Sequence, residues 1–291
     1  MAEIDLLALI SLGLVVMIGL PHGALDGAVA MTVGYGRRLQ DIVKFSVIYI
    51  MIALLVVIVW MVIPIFSLTL FMLISMIHFG LGDHNAAKPL AKYIQVICHG
   101  GLVVALIPII HFAEVEPIFL TLTGAVHPAQ LSSLWGLLIV LGGVFVLAAL
   151  GYAFLAIREK ALRGRFLEFL GLGLALTVLP PLSGFALYFC FIHTPRHIRG
   201  VVKAVINHHE KTSSGETSIL PLTIVFTVIT WAVAGLILMF KPDNIAFSDA
   251  VLRLIFIGLA ALTVPHMMLV DGVFRPKHLN PLQESTRQTE S

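Results

Sequence analysis

The chain has 291 residues, 59% of them hydrophobic and only 12% charged, with a net charge of +2 and a mean hydropathy of +1.01. Soluble domains carry roughly 25% charged residues, so these values exclude a water-soluble globule and describe a polytopic membrane protein. So small a net charge gives no footing for a nucleic-acid partner.

A spanning helix needs about 20 apolar residues. On that measure the runs at 4–22, 43–63, 65–82, 93–112, 133–157, 166–180, 183–199, 218–240 and 250–271 predict an all-α bundle of about 8–9 transmembrane helices. The first opens as "MAEIDLLALI", with Glu3 and Asp5 where a signal peptide would carry Lys or Arg, and reads as a retained helix. It ends in "GLPHGALDG", the third in "SMIHFGLGDH", the seventh in "CFIHTPRHIRG" and the ninth in "TVPHMMLVDG". The "PPLSG" between the sixth and seventh runs reads as a turn or kink. Cys98 and Cys190 both lie in apolar runs and read as packing residues rather than a disulfide.

Basic residues set the orientation, because cytoplasmic loops hold excess Lys and Arg. Arg37, Arg38 and Lys44, then Lys88 and Lys92, then Arg158, Lys160, Arg163 and Arg165 all fall on one face. Arg196, Arg199, Lys203 and Lys211 join them, followed by Arg275, Lys277 and Arg287. The opposite face has Lys241 and the acidic "AEVEPIF", with Arg253 just inside the last run. The N-terminus is therefore expected outside and the C-terminus in the cytoplasm, in a multi-pass protein of the cell membrane. Residues 1–274 form one transmembrane helical domain on this reading, and the polar tail 275–291 is expected to be disordered.

That topology gives the histidines a common depth. His22, His78, the pair His193 and His197, and His266 end runs that all travel from outside to inside, so four helices deliver five imidazoles to one cytoplasmic-half layer. His99 approaches the same layer from the opposite direction on the fourth run. A single membrane histidine is more often an interhelical hydrogen-bonder; the shared layer is what points to function. His193 and His197 are four apart, on one helix face, a spacing that Zn and Fe sites use. Several imidazoles without a thiolate suit Fe, Zn, Cu or Ni rather than Mg or Ca. Asp26, Asp83 and Asp271 each follow one of these histidines by about a turn, where a carboxylate can accept the second ring N–H of a ligand. Their other reading is as helix caps or interfacial groups.

"PHGALD", "IHFGLGD", "HTPRH" and "VPHMMLVD", in this order over residues 21–271, resemble the Brp/Blh family of membrane β-carotene 15,15′-dioxygenases that make retinal for rhodopsins. The resemblance implies an Fe(2+) centre held by His22, His78, His193 and His197, with His266 and His99 as further candidates for the metal or its surroundings. It implies O2-dependent cleavage of the central double bond of β-carotene into two all-trans-retinal molecules, and a functional link to a retinal-binding rhodopsin. A hydrocarbon substrate partitions into the lipid bilayer, so an apolar tunnel is expected, with Phe79, Phe189, Phe191, Met267 and Met268 as candidate lining. Their other reading is lipid-facing or core packing.

Two rival classes remain in view. An ion or proton transporter using the His/Asp cluster would distribute charge along a path, whereas this sequence concentrates it in one layer. Another histidine-metal membrane oxygenase or desaturase would carry denser histidine boxes, and "NHHEK" lacks the preceding His of such a box. A retinal-binding opsin is disfavoured because no Lys lies deep within a run.

Overall fold

The computed structural model describes residues 6–19, 23, 25–32, 39–212 and 219–270, which form helices joined by short turns and contain no strand. In chain order these are α1 (Leu6–Gly19), α2 (Asp26–Thr32), α3 (Leu39–Val62), α4 (Pro64–Asp83), α5 (Pro89–Ile110) and α6 (Phe112–Thr123). They continue as α7 (Ser132–Arg158), α8 (Lys160–Val178), α9 (181–212), α10 (Ile219–Met239) and α11 (Phe247–Leu269). Each apolar run in the sequence coincides with one of these helices. Five of them, α3, α4, α5, α7 and α11, are long and apolar enough to cross a membrane. The proposed tail 275–291 lies outside the described residues.

Proline sets several of the boundaries. Pro64, Pro89 and Pro181 sit in the first turn of their helices, where the missing N–H costs nothing. "PPLSG" is thus a turn followed by a helix start. Two helices occupy stretches that hydropathy treats as connections, α2 and α6. In α6, Val115, Ile118, Phe119 and Leu122 repeat at one-face spacing and are all buried, while Glu114 is exposed. The two acids and Pro117 hide that stripe from any window average. The helix ends at Gly124, whose φ of 68° is the left-handed conformation that favours glycine at this position.

Burial runs opposite to a soluble protein. Only 6% of the apolar window of α3 is buried inside the molecule, and Ile50, Met51, Leu54, Leu55 and Ile58 all face outward. Such a face belongs against lipid rather than water. Inside, Gln95 shows how a buried amide is paired. Gln95 is fully buried; its amide N–H groups donate to Tyr152 Oη and Asn85 Oδ1, both at 2.9 Å, and its carbonyl accepts from the backbone of Asn85 and Ala86. One side chain thereby closes the α4–α5 connection.

The tightest packing joins α4 to α5. A Cβ on Gly80 would run into the backbone of Val96, and one on Gly100 into the backbone of Met76. Small residues that let backbones meet are the usual device of membrane helix pairs, and here they bracket His78. Gly100→Ala is therefore expected to cost about 1–3 kcal/mol by overpacking, read as a lower thermal midpoint in detergent. Gly164→Ala, with open space around its Cβ, should leave the midpoint unchanged or raise it.

Candidate metal centre

Three helices converge their imidazoles on one cluster. His78 comes from α4, His193 and His197 from α9, and His266 from α11, and all four side chains are buried. One potential ligand nitrogen from each of His78, His197 and His266 lies within 4.8 Å of the others. The His78 ring centroid is 5.0 Å from those of both His193 and His266, and His197 is 4.9 Å from His266 and 6.0 Å from His193. His22 and Asp271 lie outside the described residues.

Local backbone geometry helps to aim these rings. Residues Leu187–His193 of α9 form a π-helical segment, which carries an extra residue per turn and is often found at functional sites. Its last residue is His193, so the chain returns to regular α-helix just before Pro195 and His197. The two rings are stacked with an interplanar angle of 23°. Phe189 stacks on His193 at 11° and sits over Gly19, where any Cβ would collide with its ring.

Two of the three carboxylates, Asp26 and Asp83, lie among the described residues. Asp26, which spacing places beside His22, accepts through Oδ1 a 2.7 Å hydrogen bond from Nδ1 of His266, and through Oδ2 one of 2.7 Å from Tyr49 Oη. His266 can then offer only Nε2 to anything else, as histidine ligands do when a carboxylate holds the other nitrogen.

Spacing places Asp83 beside His78, but the fold does not join them. Asp83 lies five residues on, about 140° around the helix, and instead accepts a 2.6 Å hydrogen bond from Tyr188 Oη while facing Arg196 Nη1 at 3.4 Å. Arg196 also pairs with Glu168, which accepts from Arg165 Nη1 at 2.8 Å. This network ties α4, α8 and α9 together. It was hidden in the sequence because Arg196 reads there as one of many cytoplasmic basic residues. The Arg of "HTPRH", a cation placed between two candidate ligands, is the available signal.

A cavity opens directly from the cluster. Its wall reaches from His78 and His266 past Met72, Leu259 and Phe185 to Leu68, Phe256 and the buried stripe of α6. Among the described residues, Ser75 and Thr263 are the only other polar side chains on that wall. Phe79 and Phe189 line it. Phe191, 51% exposed, and Met268, 57% exposed, do not; each lies two residues past a wall or cluster residue and so on the opposite helix face. Met267 is not on the wall either. His99 is buried, but its ring packs against Tyr152 and Phe169 at 6.1 and 5.9 Å rather than joining the cluster.

The donor set fits a transition metal. Nitrogens bound to one ion at about 2.1 Å can be at most ~4.2 Å apart, so separations within 4.8 Å close with small ring rotations. The donors are imidazoles without thiolate, and Cys98 and Cys190 are free, buried packing residues as expected.

A family model described as beta-carotene 15,15'-dioxygenase matches residues 13–273. The chain is also similar to a protein named beta-carotene 15,15'-dioxygenase from uncultured marine bacterium 66A03, 37% identical over 267 residues, covering 91% of this chain and 94% of the relative. No solved structure matches.

Arg196 is the cation facing the fully buried Asp83. Arg196→Ala should cost on the order of 3 kcal/mol, the low end for one half of a buried pair because Arg196 is partly exposed, checked by thermal unfolding. Arg196→Lys should recover only part of that, since it loses the fork shared between two carboxylates.

Proposed function

The chain belongs to the beta-carotene 15,15'-dioxygenase family of oxidoreductases, and from that premise we propose that it cleaves the central double bond of β-carotene with O2, giving two all-trans-retinal molecules. The observation that carries this reading is the junction of the buried imidazole cluster with an almost wholly apolar cavity. A hydrocarbon without a polar handle is recognised by shape and burial. A path for ions would instead need polar groups along its length.

The proposed cofactor is Fe(2+), held by His22, His78, His193 and His197 as the sequence resemblance implies, with His266 added because one of its nitrogens lies within 4.8 Å of nitrogens of His78 and His197. Bound there, iron would supply the activation of O2. The chain's own residues do the rest. Asp26, itself fixed by Tyr49, keeps the proton on Nδ1 of His266 and so leaves Nε2 basic. Tyr188 and Phe189 wall His193 by stacking. The apolar wall excludes water and holds the polyene beside His78 and His266. The reaction balances without another reductant: the carbon–carbon double bond breaks, two carbonyls form, and both oxygen atoms come from O2.

The proposed setting is the cell membrane, with the chain crossing it about eight or nine times, N-terminus outside and C-terminus in the cytoplasm. Residues 1–274 make up the catalytic unit and 275–291 a cytoplasmic tail. Retinal released into the bilayer is there for a retinal-binding rhodopsin.

Expression in β-carotene-accumulating cells should bleach their colour and yield retinal by chromatography; unchanged pigment with folded protein present counts against the activity. Purified protein should hold about one iron per chain, and His266→Ala and His197→Ala should lose most of it while His99→Ala keeps it. Asp26→Asn should weaken iron binding by about 10–100-fold, measured by competition with a chelator.

A further inference from the structure

Resting on the β-carotene reading above, we infer that α6 is the stop that selects which double bond is cleaved: the ring of one half-molecule seats against Ile118, Phe119 and Leu122, which sets the central bond level with His78 and His266.

Distance along the helices makes the case. On α4 the cavity wall runs from His78 to Leu68, and on α11 from His266 to Phe256, ten residues in each. At 1.5 Å per residue both walls measure about 15 Å. The α6 helix lies at the far end of that span. Its Thr121 carbonyl accepts a 2.7 Å hydrogen bond from Nε of Arg253, thirteen residues before His266, and its Leu122 carbonyl accepts one of 3.0 Å from Nε1 of Trp60. Both donors come from neighbouring helices, so α6 is pinned as a floor, with its buried stripe on the cavity wall.

The substrate has the matching dimension. Extended backbone advances 3.3–3.6 Å per three bonds, or about 1.1–1.2 Å per bond, and a planar polyene is similar. From the central bond to the ring is roughly nine such bonds, and with the ring itself the half-molecule is about 15 Å long. A slip by one double bond moves the chain only about 2.4 Å, the scale of the side chains on α6. The chemistry cannot make this choice. Neighbouring double bonds of a conjugated chain react alike, each taking one O2 and giving two carbonyls, so position alone distinguishes them.

The test uses the full chain, purified with iron in detergent, given β-carotene, with products separated by chromatography. Wild type is expected to yield retinal alone. Leu122→Ala, Phe119→Ala and their double variant deepen the cavity. Since a missing methylene in a pocket changes discrimination by about 10–200-fold, the ratio of off-centre products to retinal should rise about tenfold or more. Ile118→Trp shortens the cavity; it should lower kcat/KM on β-carotene while sparing a carotenoid already cut short at one end. Iron content at the wild-type level identifies variants whose site is intact. Deepened variants that keep their iron and their cleavage rate but still yield only retinal would overturn the stop alone. Wild-type protein that leaves β-carotene intact would overturn the dioxygenase reading and the stop with it. If the deepened variants lose iron, the shortened variant decides, and equal losses on the long and the shortened substrate overturn the proposal.

Discussion

The 2.7 Å hydrogen bond between Asp26 and His266 is the interaction on which the cluster depends. In a hydrocarbon layer no water is at hand, and each polar group must find its partner within the protein. An imidazole has two nitrogens to satisfy. By taking one of them, the carboxylate settles the ring's tautomer and turns the other nitrogen toward His78 and His197. Tyr49 occupies the second oxygen of Asp26, so the carboxylate is itself held. This chain of three residues joins α2, α3 and α11, and it gives the short α2 a reason to lie inside the bundle.

The same constraint organises the opposite side of the cluster. Asp83, Arg196, Glu168 and Arg165 neutralise one another in pairs, and Tyr188 supplies the remaining donor to Asp83. Replacing such a group by apolar residues could be neutral for stability, so burying it there is better understood as orientation. Arg196 lies between His193 and His197 in sequence, and anchoring it from α4 and α8 fixes the rotation of α9 about its own axis. A helix whose only grip was apolar packing could turn by tens of degrees, and both imidazoles would leave the layer together.

Much of this was legible in the sequence, for identifiable reasons. Hydropathy found the long helices because spanning runs differ in composition from what separates them. Alternating direction then converted position along the chain into depth, which is how His78, His193, His197 and His266 could be grouped without coordinates. Depth says nothing about azimuth. The same reading grouped His99 with them, yet its ring faces Tyr152 and Phe169, and Phe191 and Met268 are exposed. Partners far apart in the chain were equally hidden: Asp26 and His266 are 240 residues apart, and spacing suggested the nearer His22. The helix α6 was missed because two glutamates and a proline interrupt a stripe that only its buried face reveals.

The cavity exposes a further limit of sequence patterns, and a physical reason for it. Its wall includes Gly19, Val103, Val104 and Phe189, which belong to three separate π-helical segments, Val15–Gly19, Leu102–Leu106 and Leu187–His193. An extra residue in a turn widens the helix and shifts its backbone hydrogen bonds. In lipid that is tolerated only where the disturbed groups find partners, and Val16 does so: its carbonyl accepts a 3.0 Å hydrogen bond from Trp231 Nε1. Three such segments border one space. A bulge leaves composition and hydropathy unchanged, so the sequence reads as uninterrupted helix on both sides of it. The cavity is thus bordered by departures from ideal helix geometry, while the helices that carry the histidines are tied to their neighbours by polar bonds.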